Sequence, residues 1–214
     1  MLPSFAPNGF LPLGRYSVSF DEAESTLVSA PEFRESVTRT RLWDGLQDYL
    51  ERFFTLEDRH ADDLGGLALV HRLWLGGSYV SAKIDTQNID ATLLIDARAE
   101  RAVRGKPGSK WLTVAFKSRD SVKERYGVSP TRVGYRPVGN VFRLERMTPE
   151  ERTYFTERGV WDDWWQLWVS HGPPSTHTWA RPQSKRRSRW IPEPREATTR
   201  QAGDHLTGHQ LRLP

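Results

Sequence analysis

The spacing of apolar residues predicts that the first part of the chain is helical. Between residues 29 and 54, apolar side chains recur at close to the helical period while charged side chains occupy the other faces, which is typical of one long amphipathic helix. Residues 19–22 and 29–32 each place a serine three residues before a glutamate, a pattern that caps helix N-termini. We therefore expect a short helix from the first box to about Val28 and a long helix from the second, followed by an acidic, glycine-containing connection over residues 55–66.

Two apolar runs of strand length follow in the middle of the chain, separated by a loop. The second half of residues 67–75 is predicted to be the first strand, and residues 89–96 the second, whose nearly continuous apolar side chains indicate burial on both faces. Residues 111–116 fit either a strand or a helix, because so short a run does not reveal its period. Further elements are predicted as helices at residues 97–104, 118–126 (ended by Gly127) and 149–158 (ended by Gly159), and as a third strand at residues 131–135.

Together with composition, these elements predict an α/β (α+β) fold, a small mixed sheet of three to five strands with helices packed on it. At 214 residues and 37% apolar content, the chain has room for one domain with appendages. We predict an extended segment over residues 1–18, a domain over residues 19–170, and a basic, largely disordered tail over residues 171–214 with at most one short strand.

The positive charge is concentrated at the end of the chain. Residues 181–214 hold eight basic and three acidic groups, or +5, which leaves 23 basic and 24 acidic groups, or −1, on the rest. Such a tail is either a solvated extension or a segment that contacts phosphates through its charge.

Four tryptophans fall within residues 161–168. On a helix, Trp161, Trp165 and Trp168 share one face and Trp164 is adjacent to it. The segment is therefore predicted to be a helix that docks onto the domain, and a base-stacking platform is the alternative.

Several kinds of site and location are excluded or disfavoured. The chain contains no cysteine, which excludes disulfides, thiolate metal sites and cysteine nucleophiles. No window approaches the roughly 18 apolar residues of a membrane span, and the first residues lack a basic region followed by an apolar run, so we expect a cytoplasmic protein without a membrane partner. His205 and His209 have the spacing of metal ligands but lie in the predicted tail, where no core would hold them.

The most informative chemistry lies where the first predicted strand ends. Gly76 and Gly77 allow a sharp turn and let backbone N–H groups approach a phosphate closely, and Ser78 adds a hydroxyl. Asn88 and Asp90, at the start of the second strand, point to the same face because they are two residues apart. Two acids at such positions are an arrangement that holds divalent cations on a bound triphosphate.

These residues resemble the nucleotidyltransferase superfamily, specifically its minimal prokaryotic members. In that pattern, Gly-Ser is followed by a spacer and then by acid-any-acid at a strand start. Here Gly77-Ser78 is followed by a spacer of nine residues, similar in length to that of the pattern, and then by Asn88-Ile89-Asp90. Residues 9–14, the capped helices before the first strand and residues 161–166 also resemble an uncharacterised bacterial family of such proteins. The resemblance covers roughly residues 5 to 170.

The resemblance implies a metal-dependent enzyme that transfers a nucleotidyl group from a nucleoside triphosphate to an RNA end or a protein hydroxyl. Relatives often act as toxins of toxin–antitoxin systems or in phage defence, which implies a tRNA or protein acceptor and an antitoxin partner. The implied residue roles are phosphate binding by Gly76, Gly77, Ser78 and Lys83, Mg²⁺ binding by Asp90 with Asn88 as a neutral co-ligand, and catalysis by Asp90 and Ser78.

The acid motif departs from that pattern at two places. Asn88 stands where a carboxylate is expected, and the strand after residues 118–126 offers only Ser129, Pro130, Thr131 and Arg132 where a third acid is expected. Asp96 shares a face with Asp90 but lies about 20 Å along the strand, at about 3.3 Å per residue, so only Asp85 in the loop remains as a further carboxylate. The alternative hypothesis is therefore a catalytically inactive protein of this fold that binds nucleotide, nucleic acid or a partner protein.

Overall fold

The computed structural model describes residues 2–12, 16–166, 188–192 and 209–212, with side chains described up to residue 162. These residues form seven α-helices and six β-strands, so the predicted α/β class is confirmed. The helices are α1 (Phe20–Leu27), α2 (Arg39–Arg59), α3 (Ala61–Leu64), α4 (Ala97–Val103), α5 (Trp111–Lys117), α6 (Arg119–Tyr126) and α7 (Pro149–Gln166). The strands are β1 (Ser17–Ser19), β2 (Val70–Gly76), β3 (Ile89–Asp96), β4 (Val128–Tyr135), β5 (Ser188–Pro192) and β6 (His209–Arg212).

The strands form one mixed sheet in the order β1-β6-β5-β2-β3-β4. Only β3 and β4 are parallel to each other, and the described pairs β2–β3, β2–β5, β5–β6 and β1–β6 are antiparallel. The sheet has one strand more than the predicted maximum. The prediction of at most one strand in the tail is wrong, because β5 and β6 pair with each other and join β2 to β1.

Helices cover both faces of the sheet, as the continuous apolar pattern of β3 predicted. On one face the main core brings α1, α2, α5 and α6 against apolar residues such as Leu73, Ala91 and Leu93. On the other face a smaller cluster is formed by Trp74, Leu94, Val133 and Tyr154, with Tyr154 contributed by α7. The alternation of side chains along β3 sends odd-numbered residues to the main core and even-numbered residues to the α7 face.

The long helix α2 differs from the prediction at both ends. Residues 31–33 form a separate 3-10 turn, and α2 begins only at Arg39, because the carboxylate of Asp85 binds residues 36–38 just before it. The predicted connection is also helical: α2 runs on to Arg59 and α3 follows at Ala61–Leu64. Near the end of α2, the buried carboxylate of Glu57 accepts the backbone N–H groups of Leu69 and Val70 and so joins the helix to the start of β2.

Three shorter predictions have clear outcomes. The ambiguous residues 111–116 belong to a helix, α5, and Trp111 packs edge-on against Tyr49 and Phe53 of α2. The predicted stop of α6 is confirmed, because Gly127 adopts a left-handed conformation with φ of 65°. The predicted stop at Gly159 is wrong, because α7 passes through it to Gln166.

Residues 161–166 of the tryptophan segment are helical, and Trp161 packs against the cluster around Trp74. This contact supports the docking hypothesis for the first tryptophan. The side chains of Trp164 and Trp165, and all of Trp168, lie outside the described residues. Within the described part of the chain, no helix is long and apolar enough to cross a membrane.

Candidate functional site

The candidate site lies at one edge of the sheet, where β2 ends and β3 and β4 begin. Antiparallel pairing brings Gly76, the last residue of β2, opposite Asp90 of β3. Parallel pairing brings Asp90 beside Ser129 of β4. Gly76, Asp90 and Ser129 therefore form a row across three neighbouring strands.

Gly77 and Asp90 are in direct contact. Gly77 has a φ of 70°, which favours glycine, and begins the 3-10 turn Gly77–Val80 after β2. A Cβ atom added to Gly77 would overlap Oδ2 of Asp90, so the absence of a side chain is what lets this carboxylate lie against the turn. The turn that carries Gly77 and Ser78 therefore meets the carboxylate of Asp90 at Gly77.

The other carboxylate oxygen of Asp90 faces N–H groups. The amide of Asn88 donates a hydrogen bond of 3.2 Å from Nδ2 to Oδ1 of Asp90. A carboxylate only accepts, so the amide nitrogen of Asn88, and not its carbonyl oxygen, points at Asp90. This orientation does not suit the expected role of Asn88 as a neutral metal co-ligand beside Asp90.

Arg119, the first residue of α6, lies over Asp90 and Ser129. Its Nη2 is 3.8 Å from Oδ1 of Asp90, and its Nε donates a hydrogen bond of 2.7 Å to Oγ of Ser129. Ser129 is only 4% exposed, whereas the side chain of Arg119 is 60% exposed and that of Asp90 25% exposed. The buried hydroxyl thus anchors one edge of a guanidinium that otherwise faces solvent.

The charge at this site is unusual for a helix start. A cation at a helix N-terminus opposes the helix macrodipole, which favours anions there. Arg119 therefore adds its charge to the positive end of α6, and the carboxylates of Asp90 and of Asp120 in the first turn of the helix partly balance it. An anionic ligand is the kind of partner that such an arrangement favours.

These residues do not fit a magnesium site. Mg²⁺ is held by oxygen ligands, usually including carboxylates, but Asp90 is the single carboxylate of the row, and Asn88 and Arg119 both turn N–H groups toward it. The hydroxyl of Ser129 already accepts a hydrogen bond from Arg119. In the part of the chain that the structure describes, no group of three His, Asp or Glu side chains is placed to hold a metal ion.

The two other carboxylates considered from the sequence have different tasks. Oδ1 of Asp85 accepts hydrogen bonds from the hydroxyls of Ser36 and Thr38 and from the N–H of Val37. The Ser36 hydroxyl is the main cause of a lowered pKa for Asp85. Asp96 caps α4 and pairs with Arg98 at 2.7 Å, so both carboxylates are engaged away from Asp90.

The buried side chain of Arg39 binds the chain at residues 79–84, at the end of the turn and in the loop that follows it. This side chain is 1% exposed and its guanidinium donates hydrogen bonds to five carbonyl oxygens, those of Leu27, Tyr79, Ser81, Lys83 and Ile84. It also lies over the ring of Phe33, with 3.6 Å between Cζ and the ring centroid. Burial lowers the pKa of Arg39 to about 10.

Lys83, predicted to reach a phosphate, has a fixed backbone and an exposed side chain. Its carbonyl oxygen binds Arg39 and its N–H donates to the hydroxyl of Ser81. Its ammonium group forms no ion pair with any described residue. The structure thus places Lys83 in the same loop as the turn, seven residues from Gly76, with its charge free to meet solvent or a ligand.

The sequence interpretation missed Arg119 and Arg39. The predicted helix at residues 118–126 contained Arg119, but only the pairing of Asp90 with Ser129 shows what it faces. An arginine in the first turn of a helix, against the macrodipole, was the available signal. The apolar period of the long helix predicts Arg39 on a polar side, but its burial depends on a loop some 40 residues later in the chain.

The candidate site lies within a region of the chain that matches a known protein family. A family model described as a family of unknown function, DUF6932, matches residues 3–171, which include the whole candidate site and exclude β5 and β6. A search of the curated proteins and a search of the solved structures each returned no significant match.

Proposed function

Because the chain belongs to this family of unknown function, we propose a function from the site itself: the protein binds a nucleotide through its phosphates. We call the binding region the phosphate notch and define it by the residues Gly76, Gly77, Ser78, Asp90, Arg119 and Ser129. The observation that carries the proposal is the guanidinium of Arg119, anchored on Ser129 and exposed beside the glycine turn.

The chemistry of the notch supports a phosphate ligand. A guanidinium has five N–H donors in a planar fork that suits phosphate oxygens, and only the Nε edge of Arg119 is bound by Ser129. The positive φ of Gly77 turns the backbone sharply, and no side chain at Gly76 or Gly77 blocks the approach of a ligand. The hydroxyl of Ser78 and the ammonium of Lys83 are further groups that suit phosphates.

The resemblance to nucleotidyltransferases supports a nucleotide among phosphate ligands. It rests on Gly77-Ser78, the nine-residue spacer and the strand that begins near Asp90. Because Asn88 and Ser129 replace the other acids, we assign the protein to binding without transfer, the alternative that the sequence left open. Under this proposal the nucleotide binds without being transferred, so no RNA or protein acceptor is required.

Nucleotidyl transfer to an RNA end or a protein hydroxyl, as in a toxin or a phage-defence component, is the second candidate. The contact between Asp90 and Gly77 favours it, since it keeps a carboxylate against the turn. Incubation with each labelled triphosphate, Mg²⁺ or Mn²⁺, and total tRNA or protein tests it. Labelling that disappears in Asp90→Ala would establish transfer and displace the binding-only proposal.

Calorimetry with the four nucleoside triphosphates and their diphosphates tests the binding proposal. Arg119→Ala should weaken binding at least tenfold, since a charge-assisted hydrogen bond contributes about 1.5–3 kcal/mol. Arg125→Ala is the matched control, because Arg125 is an exposed arginine of the same helix whose described contact is the ring of Tyr126. Equal binding by both variants, or no binding of any nucleotide by the unchanged protein, would overturn the proposal.

A further inference from the structure

We infer that the Arg119 guanidinium stands in for a divalent cation at Asp90, so that ligand binding in the phosphate notch is independent of divalent metals. The inference deepens the proposed function. One of its two tests, the measurement of nucleotide binding with and without Mg²⁺, rests on that function. The other test, the measurement of Mn²⁺ binding by substituted proteins, does not rest on it, because it concerns only the residues of the notch.

The positions of three residues define the place that a cation would take. Asn88 and Asp90 lie two residues apart and share a face, and their side chains are joined by a hydrogen bond. Ser129 is the register partner of Asp90 on the neighbouring parallel strand. Neighbouring strands lie about 4.8 Å apart, so oxygen atoms at positions 88, 90 and 129 are within reach of one ion.

The guanidinium of Arg119 lies against two of these three positions, 90 and 129. It approaches Oδ1 of Asp90 at 3.8 Å and binds Oγ of Ser129 at 2.7 Å. Asn88 completes the set by donating to the same Oδ1 atom. The contacts of Asp90 with Asn88 and Arg119 and the contact of Ser129 with Arg119 thus each join an oxygen to an N–H group, where a metal site would join oxygens to the ion.

The residue charges are consistent with a guanidinium in place of a metal ion. Asp90 and Arg119 carry −1 and +1, so the pair is neutral, and Asn88 and Ser129 are uncharged. A divalent cation would meet a fixed positive charge and a single carboxylate. A phosphate, in contrast, meets the exposed side of Arg119 directly, and Arg119 offsets its repulsion from Asp90.

Manganese binding by substituted proteins tests the inference without any nucleotide. Mn²⁺ serves as the probe because its free and bound forms differ in electron paramagnetic resonance. The triple variant Asn88→Asp, Ser129→Asp, Arg119→Ala should bind Mn²⁺ at least tenfold more tightly than the unchanged protein. The double variant Asn88→Asp, Arg119→Ala leaves the buried Ser129 in place and should also bind more tightly, with circular dichroism to show that each variant is folded.

The matched control is Asn88→Asp with Arg125→Ala, which makes the same change in charge but keeps Arg119. It should bind Mn²⁺ no better than the unchanged protein. Equal Mn²⁺ affinity in the folded double variant and in this control would overturn the inference. So would Mn²⁺ binding by the unchanged protein that is lost in Asp90→Ala.

The nucleotide measurement compares ADP binding by the unchanged protein in EDTA and in Mg²⁺. We expect dissociation constants within about twofold of each other. Binding that requires Mg²⁺ would overturn the inference but leave the proposed function standing. Absence of ADP binding in both conditions, with no binding of any other nucleotide, would overturn the proposed function, while the Mn²⁺ measurement still decides the inference.

Discussion

The carboxylate of Asp90 lies against the α-carbon of Gly77, where any side chain on the glycine would overlap Oδ2. The turn after β2 and the start of β3 thus meet at this contact. The contact depends on two properties of Gly77, its lack of a Cβ atom and its φ of 70°.

Gly77→Ala should therefore disturb the notch at its centre. Both the positive φ and the overlap with Asp90 oppose alanine, and together we expect a loss of about 1–3 kcal/mol in the free energy of unfolding. Nucleotide binding should fall in parallel. Gly134→Ala is the control, because Gly134 in β4 has no positive φ and no atom within 4 Å of an added Cβ. Urea denaturation that finds the two variants equally stable would contradict the expected overlap.

Gly45→Ala in α2 should destabilise the protein, although alanine is the better helix former. A Cβ atom at Gly45 would overlap the carbonyl oxygen of Tyr126, so α2 and the end of α6 would have to separate. We expect a loss of about 2 kcal/mol or more. Gly159→Ala in α7 should instead stabilise by about 0.5–1 kcal/mol, because nothing lies within 4 Å of the added atom there. Thermal unfolding of both variants shows whether the signs are opposite.

Arg39→Ala should strongly destabilise the loop after the turn and the whole domain. It removes the donor to five carbonyl oxygens in a region where water cannot easily replace it, so we expect a loss of at least about 3 kcal/mol. Arg41→Ala, at an exposed position of the same helix, should change stability by less than about 0.5 kcal/mol. Amide hydrogen exchange should accelerate at residues 79–84 even in the more conservative Arg39→Lys. Unchanged exchange there would show that Arg39 does not hold this loop.

Asp85 makes the start of α2 sensitive to acid. Hydrogen bonds from Ser36, Val37 and Thr38 lower its pKa in the folded protein. A carboxyl group with a lowered folded pKa stabilises fully above its unfolded pKa, and this contribution is lost as the pH falls through the folded pKa. Asp85→Asn should therefore lower stability at pH 7 and show a smaller loss than the unchanged protein between about pH 5 and pH 2.

Urea denaturation across this pH range measures the effect of Asp85. The exposed Asp48 of α2 provides the control variant Asp48→Asn, whose stability should follow the unchanged protein. If Asp85→Asn and the unchanged protein lose stability equally on acidification, the capping role of Asp85 is refuted.

Local sequence signals predicted the elements that depend on neighbouring residues. The Ser19 cap is confirmed, because its hydroxyl accepts the N–H of Glu22, and Gly127 ends α6 as expected. One prediction failed because a distant residue decided the outcome, and another failed for a local reason. The box at residues 29–32 did not start α2, because Asp85 binds the residues before Arg39, and Gly159 did not end α7, because a glycine inside a helix weakens it without preventing it.

The candidate site divides in the same way. The Gly76-Gly77-Ser78 turn and the placement of Asn88 and Asp90 on one face follow from residue types and spacing alone. That Asp90 faces Ser129 and Arg119 does not, because it depends on the parallel register of β3 with β4 and on the position of α6.

The sequence by itself determined the fold class, the central strands and the glycine turn after β2, since residue types and their spacing along the chain indicate each of them. Only the tertiary structure decided what accompanies Asp90, because side chains from three strands and a helix meet there through long-range pairing. It also decided that Arg39, a charged residue on an apparently polar helix face, is buried beneath the loop of the site. Arg39 and Arg119 are both positioned by groups from other segments of the chain, and no pattern of neighbouring residues reveals those contacts.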